Sequence, residues 1–332
     1  MTAPLRAGLV GLGMMGRNHA RVLRTLPGVQ LVGVVDPDAG PESSPLDADL
    51  LLPDLESLLR RGVDMCVVAT PTVTHEAIAT RLAEAGVPTL IEKPLAGDPA
   101  AAERIAAAFE QRQVLGCVGH IERYNPALQS LRTRLAHGEL GEVYQVATRR
   151  QGPFPSRIAD IGVVGDLATH DIDLTAWVTG SFYRSVSAST ATRSGRSHED
   201  LVSAVGVLGI DVVTSHLVNW LSPLKERITT VTGERGCFVA DTLMADLTYY
   251  ENGVTTAPWS AVATFRGVSE GSVIRYAIRK PEPLMTELEA FAAAVRGEDP
   301  HVVTLREGLE TVRVADAMLR SARTGATVEV KP

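Results

Sequence analysis

Apolar and polar residues alternate in two different rhythms along this chain of 332 residues. Through the first 120 residues, short apolar runs alternate with longer stretches that place hydrophobic residues at helical spacing. The runs predict buried strands and the longer stretches predict amphipathic helices. Strands are predicted at 5–12, 30–36, 64–70, 88–93 and 114–120, and helices at 15–26, 54–61, 75–86 and 98–112. This alternation predicts parallel βαβ units with right-handed crossovers, interrupted by a proline-rich loop at 37–53.

The rhythm changes after residue 120. A helix is predicted at 126–137, and from 185 to about 280 strand-like segments follow one another with Gly, Asn and Pro turns between them. Successive strands without intervening helices predict a large, mostly antiparallel open sheet. Helices predicted at 284–296 and 305–324 close the chain. We therefore expect two domains, 1–120 and 121–332, with the C-terminal helices (about 284–324) packing back on the first.

Composition limits the function classes. Hydrophobic residues make up 45% of the chain and charged residues 21%, which is ordinary for a globular protein. The net charge is -7 and the basic residues are scattered, so no basic face for nucleic acid or anionic lipid is present in the pattern. No apolar run has the length of a membrane span or the form of a signal peptide. We expect a cytoplasmic protein with a small-molecule ligand and no nucleic-acid or membrane partner.

The segment GLGMMG (11–16) lies between the first predicted strand and the first predicted helix. In the dinucleotide fingerprint GxGxxG, the first glycine permits a tight turn, the second lets the backbone approach a pyrophosphate, and the third allows close packing of helix on strand. Because the motif stands at a strand-to-helix junction, it predicts a dinucleotide site. The expected fold is thus α/β, with an N-terminal Rossmann parallel sheet and a C-terminal α+β domain that holds the large, mostly antiparallel open sheet.

Asp36 ends the second predicted strand, 20 residues after Gly16. A carboxylate at this place binds the ribose hydroxyls of the adenosine half and repels a 2'-phosphate, so NAD is favoured over NADP. The end of the third strand, ATPTVTHE (69–76), lies at the rim where parallel sheets bind ligands. His75 has two interpretations, as a cofactor contact or as a helix-start residue. The predicted cofactor-binding residues are Gly11, Gly13, Met14, Met15, Gly16, Asp36, Thr70, Pro71, Thr72, His75, Glu92 and Lys93.

The segment GDLATHDIDL (165–174) gathers three aspartates around one histidine. On a helix, the i, i+4, i+7 spacing places Asp166, His170 and Asp173 on one face, with Asp171 about 100° away. His170 is the best general base, although Lys93 is an alternative acceptor of the proton. Asp166 orients the imidazole or polarises the same hydroxyl, and it can cap the helix N-terminus as well. Asp173 is expected to have a structural role. A metal needs more ligands than this segment supplies and the other histidines form no metal pattern, so no metal site is predicted.

Several motifs together resemble the glucose-fructose oxidoreductase, inositol dehydrogenase and MocA (Gfo/Idh/MocA) family. These are GLGMMG, EKPLA (92–96), GDLATHDID and the tail that begins PLMTELEAFAAAV (283–295). The resemblance covers nearly the whole chain and implies oxidation or reduction of a sugar or cyclitol carbinol by a nicotinamide cofactor. It implies that Lys93, followed by a cis-proline at Pro94, is catalytic together with Asp166 and His170.

The segment GHIERYNPA (119–127) is similar to a motif of nucleotide-sugar 3-dehydrogenases within this family, and DIGVVGDLATHDIDL (160–174) resembles the same branch. The resemblance implies a substrate such as UDP-N-acetylglucosamine or its uronate, oxidised at the 3-hydroxyl. A base-sugar-pyrophosphate substrate needs cations and amide donors, and Arg149, Arg150 and Arg157 are predicted to bind its phosphates as forks. The predicted substrate-binding residues are Lys93, Glu122, Arg123, Tyr124, Asn125, Arg149, Arg157, Asp166 and His170.

Three hypotheses about function follow from these patterns. The first is an NAD-dependent nucleotide-sugar dehydrogenase with Lys93, Asp166 and His170 as catalytic residues. The second is an inositol or free-sugar dehydrogenase, and the third is a non-catalytic dinucleotide-binding regulator. Because an antiparallel sheet of this size has two faces, we expect one to bury against helices and the other against a second subunit in a homodimer or homotetramer.

Overall fold

The computed structural model describes residues 3–38, 46–155, 161–253, 269–298 and 301–331. The chain divides into two compact units. The first comprises Met1–Ile121 and Glu282–Arg313, and the second comprises Glu122–Pro281 and Val314–Pro332. Each helix within the described ranges is too short or too polar to cross a membrane.

A parallel sheet forms the centre of the first unit. Its strands, in the order β3-β2-β1-β4-β5-β6, are all paired in parallel, as the alternation of strands and helices predicts. The strands are β1 (Leu5–Val10), β2 (Val29–Val35), β3 (Leu51–Leu52), β4 (Met65–Val68), β5 (Thr89–Glu92) and β6 (Gly116–Gly119). The helices are α1 (Met14–Leu23), α2 (Leu55–Arg61), α3 (His75–Glu84), α4 (Pro99–Arg112), α7 (Pro283–Val295) and the first part of α8 (Leu305–Thr324).

Both faces of this sheet are buried, which explains why its strands read as unbroken apolar runs. In β4, Cys66 and Val68 face a core shared with α3, α4 and α8, while Met65 and Val67 face a core shared with α1 and α7. All four side chains are fully buried. The predicted proline-rich loop lies partly outside the described residues, and its described end contains only a short 3-10 turn and β3.

A mixed sheet forms the second unit, in the order β14-β13-β12-β11-β7-β10-β9-β8-β15. All neighbouring strands are antiparallel except the parallel pair β7 and β10, so the expected mostly antiparallel sheet is confirmed. The strands are β7 (Val143–Pro153), β8 (Tyr183–Ala191), β9 (Leu201–Leu208), β10 (Val213–Asn219), β11 (Leu221–Gly233), β12 (Gly236–Asp241), β13 (Asp246–Gly253), β14 (Ser269–Arg275) and β15 (Val328–Glu329).

One face of this sheet is covered by helices, and the described residues leave the other face open. Helices α5 (Pro126–Ala136) and α6 (Thr169–Thr179) and the end of α8 pack with Val146, Phe238 and their neighbours in one core. Side chains alternate between the faces, so β9 and β10 bury every second residue. Val205 and Leu217 on these two strands are exposed on the open face.

Candidate active site

The glycine-rich turn between β1 and α1 leaves room for a dinucleotide pyrophosphate. Gly11 has a φ of +94°, and a Cβ there would collide with the carbonyl oxygen of Ala69. A Cβ on Gly16 would collide with the carbonyl oxygen of Gly11, so a glycine is needed for α1 to pack on the turn. A Cβ on Gly13 would have no neighbour within 4 Å. The backbone at Gly13 is therefore the part of the turn that a ligand can approach.

The N-terminus of α1 opens onto this turn. Gly13 is its N-cap, no side chain caps the helix, and its first turn holds no acidic residue. Its N–H groups are thus available to an anion, which the helix dipole also favours. Met14 is exposed and Met15 is half-buried at this end. The residues of the turn fit the pyrophosphate of NAD.

Asp36 follows β2 and its carboxylate faces the glycine-rich turn. Its Oδ2 accepts a hydrogen bond of 2.5 Å from the N–H of Leu12, and its Oδ1 accepts one of 2.9 Å from the N–H of Asp38. A carboxylate oxygen can accept two hydrogen bonds. The carboxylate is therefore held in a fixed orientation and still has acceptor capacity for ribose hydroxyls.

The rim after β4 contains Thr70, half-buried, Pro71, exposed, and Thr72, buried. His75 begins α3, but its ring is fully buried. Its Nε2 lies 3.0 Å from the carbonyl oxygen of Thr70 and its Nδ1 lies 3.1 Å from that of Pro94. Burial lowers the pKa of His75 although these carbonyl groups raise it. The neutral ring ties the end of β4 to the turn after β5, which favours a structural role; its contact with the cofactor stays a prediction.

Glu92 and Lys93 end β5. The buried carboxylate of Glu92 lies 2.7 Å from Nε2 of His19 on α1, and it accepts a hydrogen bond of 3.2 Å from the N–H of Lys93. Burial raises the pKa of Glu92, but the hydrogen bond and charge of His19 and the charge of Lys93 outweigh burial and lower it. The Lys93–Pro94 peptide bond is cis, as the family resemblance implies, and the Lys93 side chain is half-buried. Glu92 thus contacts the backbone of Lys93 directly, and His19 holds Glu92 in place. The sequence pattern does not reveal this role of His19.

A second carboxyl group is buried in the first unit. Glu287 on α7 is 1% exposed, and neither of its carboxyl oxygens has a hydrogen-bond partner among the described residues. Burial raises the pKa of Glu287 well above its ordinary value, and the charge of Glu92 raises it further. The geometry therefore favours an ionised Glu92 and a protonated Glu287.

In the second unit, GDLATHDIDL begins as a π-helical turn, Val164–Ala168, which continues into α6. Asp166 lies in this turn and is 4% exposed, and His170 follows half-buried in the first turn of α6. π-helical turns are rare and recur at functional sites. The turn is capped by Glu199, which accepts a hydrogen bond of 3.0 Å from the N–H of Val164. The N-cap positions of this turn and of α6 are Val163 and Ala168, so the N-cap role considered for Asp166 is wrong. Asp166 stands instead in the first turn, where a carboxylate complements the helix dipole.

Asp171, next to His170, faces the covered side of the sheet. Its Oδ1 accepts a hydrogen bond of 2.6 Å from Nε of Arg150, and its Oδ2 accepts one of 3.0 Å from Oγ1 of Thr148. Nη1 of Arg150 donates to Glu122 at 2.7 Å. Burial lowers the pKa of Arg150, but the charges of Asp171 and Glu122 outweigh burial and raise it. Arg150 is therefore committed to two carboxylates and is not the phosphate fork that the sequence predicts.

The same chain of hydrogen bonds continues across the sheet. Oγ1 of Thr148 lies 2.7 Å from Nδ1 of His216, and the Tyr183 hydroxyl lies 2.8 Å from Nε2. Burial lowers the pKa of His216 to about 4 although the charge of Asp171 raises it, so the ring is neutral. We call these six side chains the sheet network: Tyr183, His216, Thr148, Asp171, Arg150 and Glu122.

The side chains of the IERYN segment after Glu122 point into the second unit. Arg123 donates to both carboxylate oxygens of Asp173, at 2.6 and 2.9 Å, and both residues are buried. Tyr124 is 7% exposed. Asn125 caps α5 through its Oδ1 and donates through Nδ2 to the carbonyl oxygen of Thr242. These contacts favour the structural role expected for Asp173, and substrate contact by Arg123, Tyr124 and Asn125 stays a prediction.

The two remaining predicted arginines are not brought to this cluster. Arg149 is exposed and pairs with Glu226 at 3.0 Å. Because neighbouring residues of a strand face opposite sides, Arg149 lies on the open face and Arg150 on the covered face. The structure thus separates Arg149 from Asp166 and His170 within the unit. Arg157 lies outside the described residues.

One residue of the covered face was not found by sequence reasoning. Arg227 on β11 stands opposite Arg150 on β7, at the same end of the sheet as Asn125 and Thr242. Its position depends on strand register, which a single arginine in a polar stretch does not indicate.

Two family models cover this chain in succession. The model described as an oxidoreductase family with an NAD-binding Rossmann fold matches residues 5–120. The model described as the oxidoreductase family's C-terminal alpha/beta domain matches residues 132–330. The chain belongs to the Gfo/Idh/MocA family. The resemblance inferred from EKPLA and GDLATHDID is thereby confirmed.

Three Gfo/Idh/MocA relatives show the range of this similarity. UDP-N-acetylglucosamine 3-dehydrogenase of Acidithiobacillus ferrooxidans is 30% identical over 89% of this chain and 90% of its own. A solved structure of that enzyme matches with a TM-score of 0.84 at 27% identity, over 97% of this chain and 99% of the other. Myo-inositol dehydrogenase Hyg17 of Streptomyces leeuwenhoekii is 30% identical over 99% of this chain and 100% of its own. GenD2 from gentamicin A biosynthesis, solved in complex with NAD, has a TM-score of 0.83 at 27% identity, over 100% of this chain and 98% of the other.

As a Gfo/Idh/MocA protein, the chain is a nicotinamide-dependent dehydrogenase that acts on CH–OH groups. The relatives include a nucleotide-sugar enzyme and an inositol enzyme at equal identity. Family membership therefore does not by itself choose between these two substrate classes.

Proposed function

We propose that this chain oxidises the 3-hydroxyl of a nucleotide sugar, UDP-N-acetylglucosamine or its uronate, with NAD. The observation that carries the proposal is the π-helical turn, which contains Asp166 and ends two residues before His170. The aspartates that follow, Asp171 and Asp173, are each paired with an arginine. The similarity to UDP-N-acetylglucosamine 3-dehydrogenase and the segment GHIERYNPA support this substrate class.

The roles of the site residues follow from the reaction. Oxidation of a secondary alcohol removes the hydroxyl proton while a hydride leaves its carbon; NAD, when bound, accepts that hydride. We assign proton removal to His170, because histidine has an ordinary pKa near neutrality. Asp166, four residues earlier, is assigned to orienting the imidazole. Lys93 supplies a positive charge that stabilises the developing alkoxide.

The preference for NAD over NADP rests on Asp36. Its carboxylate is fixed by the N–H groups of Leu12 and Asp38. A fixed negative charge at the end of β2 accepts hydrogen bonds from ribose hydroxyls and repels a 2'-phosphate. We therefore propose that kcat/KM is higher with NAD than with NADP.

An inositol or free-sugar dehydrogenase is the second candidate function. It is favoured by the similarity to myo-inositol dehydrogenase Hyg17 over 99% of this chain. It is also compatible with the internal contacts of Arg123 and Asn125, because a cyclitol needs no nucleotide contact from the IERYN segment.

The experiment that tests the proposal is NADH formation with a panel of UDP-sugars, dTDP-sugars, inositols and free hexoses. We expect turnover of UDP-N-acetylglucosamine or its uronate. Turnover of myo-inositol without turnover of any nucleotide sugar would favour the second candidate. Tight NAD binding without turnover of the panel would favour a non-catalytic dinucleotide-binding regulator.

The same assay tests the catalytic residues. Lys93→Ala and His170→Ala are each expected to lower kcat about 100-fold or more, while the Kd for NAD changes little. His137→Ala is the matched control, because His137 is exposed at the end of α5. An unchanged kcat in either variant would remove that residue from the mechanism.

We also propose that the open face of the sheet associates with a second copy of the chain. Val205, Val213 and Leu217 on β9 and β10 are 49%, 41% and 39% exposed on this face. Exposed apolar side chains in a group mark an interaction surface. Sedimentation velocity is expected to show a dimer or tetramer that Val205→Glu dissociates. A monomeric wild-type protein at micromolar concentration would contradict this.

A further inference from the structure

The position of Arg227 follows from strand register. Arg227 on β11 pairs directly with Arg150 on β7 in the antiparallel ladder. Directly opposite residues of neighbouring strands place their side chains on the same face. Arg150 lies on the covered face, because it donates to Asp171 on α6. Arg227 therefore shares the face of the sheet on which α6 and the π-helical turn pack.

The guanidinium of Arg227 is anchored without a carboxylate. Its Nη1 donates at 2.7 Å to the carbonyl oxygens of Gln151 and Glu226. No described residue accepts a hydrogen bond from its Nε or Nη2, and it forms no ion pair within the described ranges. By contrast, Arg149 and Arg150 each pair with at least one carboxylate. Arg227 is thus a half-buried cation with one nitrogen bound and two nitrogens to which no described residue is hydrogen-bonded.

The charges around Arg227 include the candidate catalytic carboxylate. Burial lowers the pKa of Arg227 and Arg150 lowers it further, whereas the charges of Asp171, Glu122 and Asp166 raise it. Asp171 and Glu122 already bind Arg150. A partly desolvated cation is costly unless an anion accompanies it, and an arginine stays charged at neutral pH.

We propose that Arg227 binds an anionic oxygen group of the substrate, a phosphate of the nucleotide or the carboxylate of a uronate. A guanidinium donates to either group through two parallel N–H bonds. The inference rests on the proposed function and deepens it. Arg227 would select nucleotide sugars over inositols, because an inositol has no anionic group to bind.

The test compares Arg227→Gln and Arg227→Lys with the matched control Arg235→Gln. Arg235 lies in the exposed turn after β11 and, like Arg227, donates to a backbone carbonyl oxygen. Each variant is assayed with UDP-N-acetylglucosamine, its uronate and myo-inositol, and UDP binding to the NAD-loaded protein is measured by calorimetry. Melting temperature shows that each variant is folded.

We expect Arg227→Gln to raise KM for the nucleotide sugars about tenfold or more with a smaller change in kcat. Arg227→Lys recovers part of the loss, and Arg235→Gln leaves KM unchanged. An equal effect on both nucleotide sugars, with weaker UDP binding, identifies phosphate as the bound group. An effect on the uronate alone identifies the carboxylate.

The outcomes separate this inference from the proposed function. Turnover of nucleotide sugars with the same KM and UDP affinity in Arg227→Gln and wild type would overturn the role of Arg227 and leave the function standing. UDP binding that depends on Arg227, without turnover of any nucleotide sugar, would overturn the function and leave Arg227 as an anion site. A wild-type protein that neither binds UDP nor oxidises a nucleotide sugar would overturn both.

Discussion

Each unit buries a polar cluster next to a candidate catalytic residue, and the two clusters are built differently. In the second unit, the sheet network beneath His170 pairs Arg150 with two carboxylates and gives both ring nitrogens of His216 a partner. In the first unit, the Glu92–His19 pair beside Lys93 lies near Glu287, whose oxygens have no described partner.

The difference shows two ways to bury carboxyl groups. Asp171 accepts hydrogen bonds on both carboxylate oxygens and pairs with Arg150, so removal of one partner leaves a buried charge without its counter-charge. Burial and the charge of Glu92 raise the pKa of Glu287 and favour its protonated form. The free energy that its burial costs the folded state therefore depends on pH. The sheet network is therefore sensitive to substitution, and the Glu287 site is sensitive to titration.

The largest effect is expected from breaking the sheet network. Asp171→Ala leaves Arg150 with only one of its two carboxylates and Thr148 without its acceptor, so we expect a loss of about 3–5 kcal/mol in the free energy of unfolding. Urea denaturation at pH 7 measures it. Arg184→Ala, which removes an exposed ion pair with Asp211, is the control and should change little. Equal losses in the two variants would show that the buried ion pair contributes no more to the free energy of unfolding than the exposed one.

A smaller effect is expected from acid acting on His216. Its pKa is lowered from 6.5 to about 4. Since the unfolded chain binds the proton first, the stability due to neutral His216 is present above pH 6.5 and is lost as pH falls to 4, by about 3 kcal/mol. We expect His216→Gln to lose less stability than wild type between pH 7 and pH 4.5 in urea denaturation. Parallel pH curves for the two proteins would contradict the buried neutral ring, and His137→Gln should match wild type.

The smallest effect is expected at Glu287. Because its folded pKa is raised above 4.5, the stability it contributes is fully present below that pH and is lost as pH rises through the folded pKa. Glu287→Gln should therefore match wild type near pH 4 and exceed it at pH 8. Glu289→Gln, on the exposed side of α7, is the control. A constant difference at all pH values would show that Glu287 does not titrate.

The sequence pattern was enough to predict five of the six parallel strands, because these strands are apolar on both faces and are separated by predicted helices or by the proline-rich loop. The sixth strand, β3, was not predicted, because it has only two residues and lies at the end of that loop. The pattern also located the glycine-rich turn, since GLGMMG has one structural meaning at a strand-to-helix junction. The open sheet was predictable as a class, but its order was not. The parallel pairing of β7 with β10 depends on contacts between residues about 70 positions apart, such as Gln145 and Val213.

Helical spacing alone could not sort the aspartates of α6. It grouped Asp173 with Asp166 and His170, but α6 is buried on most sides, so a polar residue on any face meets protein. The tertiary structure decides that Asp173 pairs with Arg123 and that Asp171 pairs with Arg150. The cap from Glu199 and the place of Arg227 were also out of reach, because both depend on loops and registers distant in sequence.

The π-helical turn at Val164–Ala168 sets the direction of Asp166 independently of the rest of α6. Beyond it, α6 is fastened to the sheet by Arg150 and Arg123, so the helix cannot rotate freely. A π-helical turn closes its hydrogen bond over one residue more than an α-helix does, and each residue of an α-helix turns the chain by about 100°. A deletion or insertion of one residue in this turn would re-aim Asp166 about the helix axis while Asp171 and Asp173 keep their partners. The length of the chain in this turn therefore sets the direction of Asp166 relative to Asp171 and Asp173.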